Sequence, residues 1–128
     1  MHDTYRFVIL SLYAQIVLLD AQNSAAYPEW TTGDEKAVYT KNGIAVATAG
    51  DSNIEVIIKE NRGVSDENLY PCLSAIITIG EKGLLVGNIP SGNVNSVPWM
   101  AGDVLVKVYT NQLVSSNVTI VVFTLSQI

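Results

Sequence analysis

Few residues of this chain could carry out chemistry, and their types restrict what that chemistry could be. The sequence contains one histidine, His2, and one cysteine, Cys72. It therefore cannot form an intrachain disulfide, a Cys/His zinc site or a histidine-based catalytic triad. Cys72 follows Pro71 at the start of an apolar segment, which is typical of a buried, unreactive thiol. We predict no catalytic residue, no cofactor and no enzymatic activity.

Acidic residues are the next candidates, because carboxylates act as general acids and as ligands of hard cations. The acids that could be recruited to a calcium site are Asp51, Glu55, Asp66, Glu67 and Asp103. They form no DxDxDG loop. The adjacent pairs Asp34-Glu35 and Asp66-Glu67 would point apart in extended chain instead of across a substrate. We therefore predict neither a metal site nor a glycosidase site.

The triplet Asn117-Val118-Thr119 is an N-glycosylation sequon. It matters only if the chain is exported to a compartment that contains the glycosylation machinery. Asn117 is therefore the candidate modification site of this sequence.

Composition limits the partners of the protein. The 128 residues suffice for one ordinary domain, and 48% hydrophobic with 15% charged residues excludes a disordered chain. A formal net charge of −5 and a pI near 4.6 remove the main attraction to phosphate backbones, so we predict no nucleic-acid partner. The mean hydropathy of +0.28 is high for a cytosolic domain and indicates apolar surface covered by a partner or a membrane.

The N-terminal segment predicts a hydrophobic helix. Residues 7–19, FVILSLYAQIVLL, are apolar except for Ser11 and Gln15, and no glycine or proline precedes Pro28. An apolar run of this length is shorter than the roughly 20 residues that cross a membrane. We predict an assembly helix within residues 1–26 that associates with a membrane only transiently. Two alternatives are a helix packed on the chain's own sheet and a secretory signal cleaved within residues 23–26.

A β-domain is predicted for residues 27–128. Asn42-Gly43 between residues 36–41 and 44–49 is a strong hairpin signal, because both residues tolerate the positive φ of a type I′ turn. Further strands are predicted at residues 54–60, 73–79, 84–89, 104–109 and 118–125. Seven or so short strands favour an antiparallel, immunoglobulin-like β-sandwich. The fold class is therefore mainly β, with an N-terminal hydrophobic α-helix.

The last predicted strand is apolar on both faces. Val118, Ile120 and Val122 would lie on one face, and Val121, Phe123 and Leu125 on the other. One face therefore needs a second cover, from the N-terminal helix or from another subunit.

A hydrophobic helix, a short polar linker and a β-domain that ends in GDVLVKVYTNQLVSSNVTIVVF (102–123) resemble the layout of archaeal type IV pilin-like and flagellin-like filament subunits. The resemblance implies that the helices bundle in the filament core and that immunoglobulin-like domains form the outer sheath. The implied bundle contacts are Phe7, Ile9, Leu12, Ile16 and Leu19.

The sequence thus favours a non-enzymatic, self-assembling subunit of an extracellular, cell-surface filament whose partners are copies of itself. On this hypothesis, Ile16→Asp abolishes assembly and leaves the β-domain folded. The alternatives are a virion protein of the capsid or capsid-decorating type, and a secreted β-sandwich binding module with a cleavable signal peptide.

Overall fold

A computed structural model describes residues 3–23, 28–61 and 68–128. These residues form ten strands and three single 3₁₀ turns. The strands are β1 (Tyr5–Leu10), β2 (Gln15–Asp20), β3 (Ala37–Thr40), β4 (Gly43–Ala47), β5 (Asn53–Glu60), β6 (Tyr70–Ile79), β7 (Leu84–Asn88), β8 (Asn93–Val97), β9 (Gly102–Thr110) and β10 (Ile120–Gln127). The 3₁₀ turns are Leu12–Ala14, Ala21–Asn23 and Ser115–Asn117.

The strands form two five-stranded sheets. The front sheet has the order β1-β5-β10-β9-β6, and the back sheet has the order β3-β4-β2-β7-β8. Within the described residues, neighbouring strands are antiparallel except β5 and β10, which run parallel with Val121 opposite Val56. Because β1 belongs to the front sheet and β2 to the back sheet, the first strands already connect the two layers.

The main core lies between the sheets, and side-chain alternation builds it. Ile54, Val56 and Ile58 of β5 are fully buried, and the residues between them are partly exposed on the outer face. β9 repeats this pattern. Burial of each such aliphatic side chain stabilises the fold by about 1.5–3 kcal/mol.

Trp30 covers part of the outer face of the back sheet. Val17, Leu19 and Ala45 form a second apolar cluster on that face, and Trp30 packs against it. Trp30 Nε1 donates a hydrogen bond of 3.0 Å to Gln15 Oε1. This hydrogen bond and the packing of the indole hold the start of residues 30–35 against β2.

The predicted N-terminal helix is wrong. The apolar run forms β1, the turn Leu12–Ala14 and β2. A continuous apolar run suits a buried strand as well as a buried helix. Here β2 lies inside the back sheet between β4 and β7 and is buried on both faces. The predicted fold class is therefore wrong in its helix, and its wholly antiparallel sandwich does not include the parallel β5–β10 pair.

The predicted assembly residues do not share one helical face. Ile9, Ile16 and Leu19 are at most 1% exposed. Ile9 and Ile16 belong to the core between the sheets, against which Phe7 packs from β1, whereas Leu19 belongs to the cluster on the outer face of the back sheet. Leu12 is half-buried in the turn between β1 and β2. A helical bundle therefore cannot form from these side chains. The predicted cleavage segment at 23–26 lies largely outside the described residues, and the described residues include no helix that could span a membrane.

The hairpin predicted around Asn42-Gly43 is confirmed, but the role of Gly43 differs. Thr40 pairs with Gly43, so the two turn residues are Lys41 and Asn42, and none of these residues has a positive φ. A Cβ atom on Gly43 would lie 2.6 Å from Leu19 Cδ2. Glycine therefore suits a position where β4 passes close to β2, because a larger residue would have to displace the buried Leu19 side chain.

The cover predicted for the last strand comes from within the front sheet. β10 lies between β5 and β9, and Val122 is in register with Ile57 on one side and Tyr109 on the other. Val122 is 2% exposed in the single chain, so a second subunit is not needed to bury it. Among the described residues, its neighbours on β5 and β9 contribute to this cover.

Candidate functional site

Loops from four parts of the chain converge at one end of the sandwich. We call this surface the Tyr13 end and define it as residues 11–14, 30–35, 48–52 and 113–117. Tyr13 lines one cavity together with Thr48, from residues 48–52, and Ser115, from residues 113–117. The sequence separates these residues widely, and the two sheets bring them together.

Tyr13 is exposed, and its backbone has a conformation that residues with a Cβ atom rarely adopt. Its φ is +58°, that of Ala14 is +56°, and that of Asp51 is +49°. Within the described residues, these are the three non-glycine residues with a left-handed backbone. Tyr13 is nevertheless 82% exposed, so its ring contributes little to the core. Left-handed backbone costs about 1–2 kcal/mol for such a residue, and strain of this kind concentrates at functional sites.

Buried polar side chains hold the Tyr13 loop in place. Ser11 is fully buried, and its hydroxyl oxygen lies 2.5 Å from Ala49 O and 3.1 Å from Ser52 O, so its single O–H ties residues 11–14 to residues 48–52 through one of these carbonyls at a time. Thr48 N donates to Ala14 O over 2.9 Å. These bonds satisfy groups that would otherwise be buried without partners, so they fix the strained turn.

Asn88 supports the same loop from the back sheet. This side chain is fully buried at the end of β7, and its Nδ2 donates to Leu12 O and to Gln15 O, each over 2.8 Å. Its Oδ1 accepts a bond from Ser91 N. Asn88 therefore holds the loop through hydrogen bonds on both sides of Tyr13.

Two shallow cavities of about 420 Å³ each flank Tyr13. Leu12, Gly50 and Asp51 line the first, together with Tyr13 and Ala14. The residues of the second are Tyr13, Ala14, Trp30, Gly33, Glu35, Ala47, Thr48, Ser115 and Ser116. Among the described residues, each cavity is thus lined by one carboxylate and by no cationic side chain.

The carboxylate of Glu35 is held by its own loop. Its Oε1 accepts bonds from Thr31 N, from the Thr31 hydroxyl and from Thr32 N, and Oε2 accepts one from Gly33 N over 3.0 Å. The hydrogen bonds from Thr31 and then Thr32 lower the pKa of Glu35 from 4.5 to about 2. The group is therefore ionised throughout the physiological pH range.

Residues 31–35 are expected to lose order in acid. Because the folded-state pKa of Glu35 lies below the unfolded value, its ionised form stabilises the loop fully above about pH 4.5, and this contribution disappears as the pH falls toward 2. An NMR titration of the Glu35 side-chain carbon should have its midpoint near pH 2. The amide signals of Thr31, Thr32 and Gly33 should follow it. A midpoint near 4.5, or the same amide titration in Glu35→Gln, would contradict the hydrogen-bonded arrangement.

The other candidate residues remain apart. Cys72 is half-buried beside a separate cavity of about 280 Å³, and burial raises the pKa of its thiol. Asn117 is exposed in the turn Ser115–Asn117, so its modification stays a prediction. Glu55 pairs with Arg6 at 3.4 Å, and Asp103 accepts a bond from the Thr78 hydroxyl.

No metal centre is assembled by the described part of the chain. It contains no group of three or more histidine, cysteine or acidic residues that could hold an ion. Asp66 and Glu67 lie outside the described residues. Tyr13 was not predictable as a candidate binding residue, because it lies within the apolar run 7–19 and nothing local in the sequence marks a positive φ at tyrosine.

The fold resembles two solved structures. One is ComJ from Bacillus subtilis, an inhibitor of the DNA degrading activity of NucA, with a TM-score of 0.77, 9% sequence identity, and coverage of 100% of this chain and 99% of that chain. The other is described as crocagin biosynthetic gene J, with a TM-score of 0.58, 13% identity and 97% coverage of each chain. At these identities the likeness shows the fold alone. No protein-family model and no curated protein sequence matches the chain.

The predicted pilus-like filament function is wrong. It required a hydrophobic helix for the filament core, and the apolar run forms strands of the two sheets. The similar structures are an inhibitor and a biosynthetic protein rather than filament subunits.

Proposed function

We propose that this protein is a non-enzymatic binding module that attaches to another protein through the Tyr13 end. The observation that carries the proposal is the exposed ring of Tyr13, held on two successive left-handed residues by buried hydrogen bonds. Such a rigid aromatic side chain loses little conformational entropy when it enters a pocket of a partner, and tyrosine is enriched among the residues that dominate binding energy.

Further apolar side chains extend this surface. Leu113 and Val114 are more than half exposed on the loop that also supplies Ser115 to the second cavity. Exposed apolar groups beside a fixed aromatic ring are typical of the centre of a protein interface. The surface therefore offers an apolar centre with carboxylates beside it.

The similar structures support a protein as the partner. ComJ, which shares the fold over the whole chain, inhibits the activity of another protein, NucA. The net charge of −5 disfavours nucleic acid as the direct ligand. We therefore propose that the chain acts on another protein by occupying part of its surface.

Tyr13→Ala should remove partner binding, and Tyr39→Ala should not. Tyr39 is a matched control because it is an exposed tyrosine, 55% accessible, on β3. Each variant is immobilised and exposed to extract of the source cells, and a protein captured by the wild-type chain is purified for a measurement of Kd. Loss of a tyrosine at the centre of an interface costs about 2 kcal/mol, so Kd should rise about thirtyfold for Tyr13→Ala alone.

Tyr13→Gly tests whether a loss of binding arises from the missing ring or from a less stable fold. Glycine accepts a φ of +58° without strain, so the melting temperature should equal or exceed that of the wild type while binding is still lost. A purified partner that binds Tyr13→Ala and the wild-type chain equally would refute the proposed function. Capture of no protein by the wild-type chain would also count against it.

A further inference from the structure

We propose that the cavity between Tyr13 and Trp30 receives an arginine side chain of the protein partner. The inference rests on the proposed function, because it names the chemistry by which the same surface selects its partner.

The lining of this cavity matches a guanidinium group. Tyr13 and Trp30 supply two aromatic side chains, and Glu35 supplies a carboxylate. A planar cation stacks on aromatic faces and hydrogen-bonds to a carboxylate at the same time, which arginine does better than lysine. The hydroxyl-bearing residues Ser115 and Ser116 line the cavity as well and can accept further N–H groups.

The Glu35 carboxylate retains capacity for this contact. Among the described residues, its Oε2 accepts one bond, from Gly33 N, whereas Oε1 accepts three. A carboxylate has about four acceptor sites on its two oxygens, so the less occupied Oε2 has room for a second donor. One N–H of a guanidinium group can therefore reach Oε2 without displacing the loop that holds Glu35.

The surrounding charge also favours a cation. Asp51 lines the cavity on the opposite side of Tyr13, and Asp34 precedes Glu35. The loop residues 11–14, 30–35, 48–52 and 113–117 include no lysine, arginine or histidine. An arginine that approaches Tyr13 therefore meets one carboxylate in each cavity, and the exposed Lys36, which directly follows Glu35, is not among the described residues that line either cavity.

The volume argues against a bare metal ion as the occupant. A space of about 420 Å³ with two aromatic walls is far larger than one ion needs, and the described residues supply a single carboxylate to it. A side chain with both an apolar stem and a cationic head fills such a space along its length.

The test uses N-acetyl-arginine N-methylamide, with N-acetyl-citrulline N-methylamide as the neutral probe of the same shape. Each is titrated into the isotope-labelled full chain and followed by amide NMR. We expect the arginine probe to bind about fivefold or more tightly than the citrulline probe. Shifts should be confined to residues around Tyr13, Gly33 and Ser115. In Tyr13→Ala this preference should be lost, whereas Tyr39→Ala should retain it.

The outcomes separate the inference from the proposed function. Equal binding of the two probes, or shifts located elsewhere, would overturn the arginine assignment. If a partner is captured and depends on Tyr13 while the probes bind equally, the proposed function stands and the arginine assignment falls. If capture is independent of Tyr13, the proposed function itself fails.

Discussion

Ile16→Asp is expected to unfold the protein. Ile16 is fully buried on β2, opposite Val46 of β4, at the centre of the sandwich. The substitution removes the burial of a large aliphatic side chain, about 1.5–3 kcal/mol, and places an unpaired carboxylate in the core at a cost of several kcal/mol more. The sum is comparable with the whole stability of a small domain. Circular dichroism and urea denaturation should show no cooperative transition.

Val8→Asp is the matched control for this substitution. Val8 belongs to the same apolar stretch but is 64% exposed on the outer face of β1. We expect it to lower the free energy of unfolding by about 1 kcal/mol or less. If Ile16 belonged to a helix outside the core, Ile16→Asp would leave the β-domain folded. A cooperatively folded Ile16→Asp variant would therefore contradict the sandwich described above.

Asn88→Ala is expected to destabilise the protein by about 2–4 kcal/mol. The substitution removes both donors to Leu12 O and Gln15 O, and it removes the acceptor of Ser91 N. Each polar group left without a partner in a partly buried site costs about 1–3 kcal/mol. Urea denaturation measures the loss. Because these bonds lie on both sides of Tyr13, the partner affinity should fall with it.

Two further variants show that the hydrogen bonds of Asn88 are responsible. Asn95→Ala removes a half-buried asparagine of β8 whose Nδ2 makes a single long bond of 3.4 Å, so it should change stability by about 0.5 kcal/mol or less. Asn88→Asp keeps the shape but places oxygen opposite two carbonyl oxygens, and it should destabilise at least as much as Asn88→Ala. Wild-type stability of Asn88→Asp would show that the donors do not hold the loop.

The sequence predicted those elements correctly whose structure depends on residues close together in the chain. The hairpin at residues 37–47 was predictable because its turn and both strands lie within one short segment. The alternation of Ile54, Val56 and Ile58 likewise marked a strand with one buried face. The run 7–19 failed because its residues are apolar on every side, and such a run carries no period that separates helix from strand.

The candidate site was not predictable for a related reason. Tyr13 acquires its role from a left-handed backbone that Ser11 and Asn88 impose through bonds to distant loops. Nothing near Tyr13 in the sequence identifies those partners. Trp30 likewise shares a cavity with Tyr13 while it packs on the outer face of the back sheet. Local propensity contains no information about such contacts.

The sequence by itself determined the charge of −5, the scarcity of cysteine and histidine, and the supply of apolar side chains for a single core. These properties are residue counts, so they do not depend on where each residue lies in the folded structure. Only the tertiary structure decided that the N-terminal run forms two strands in different sheets, and that Tyr13, Trp30 and Glu35 share one cavity. The physical reason is that a strand obtains its hydrogen-bond partners from residues far along the chain, as Tyr5 of β1 does opposite Ile58 of β5.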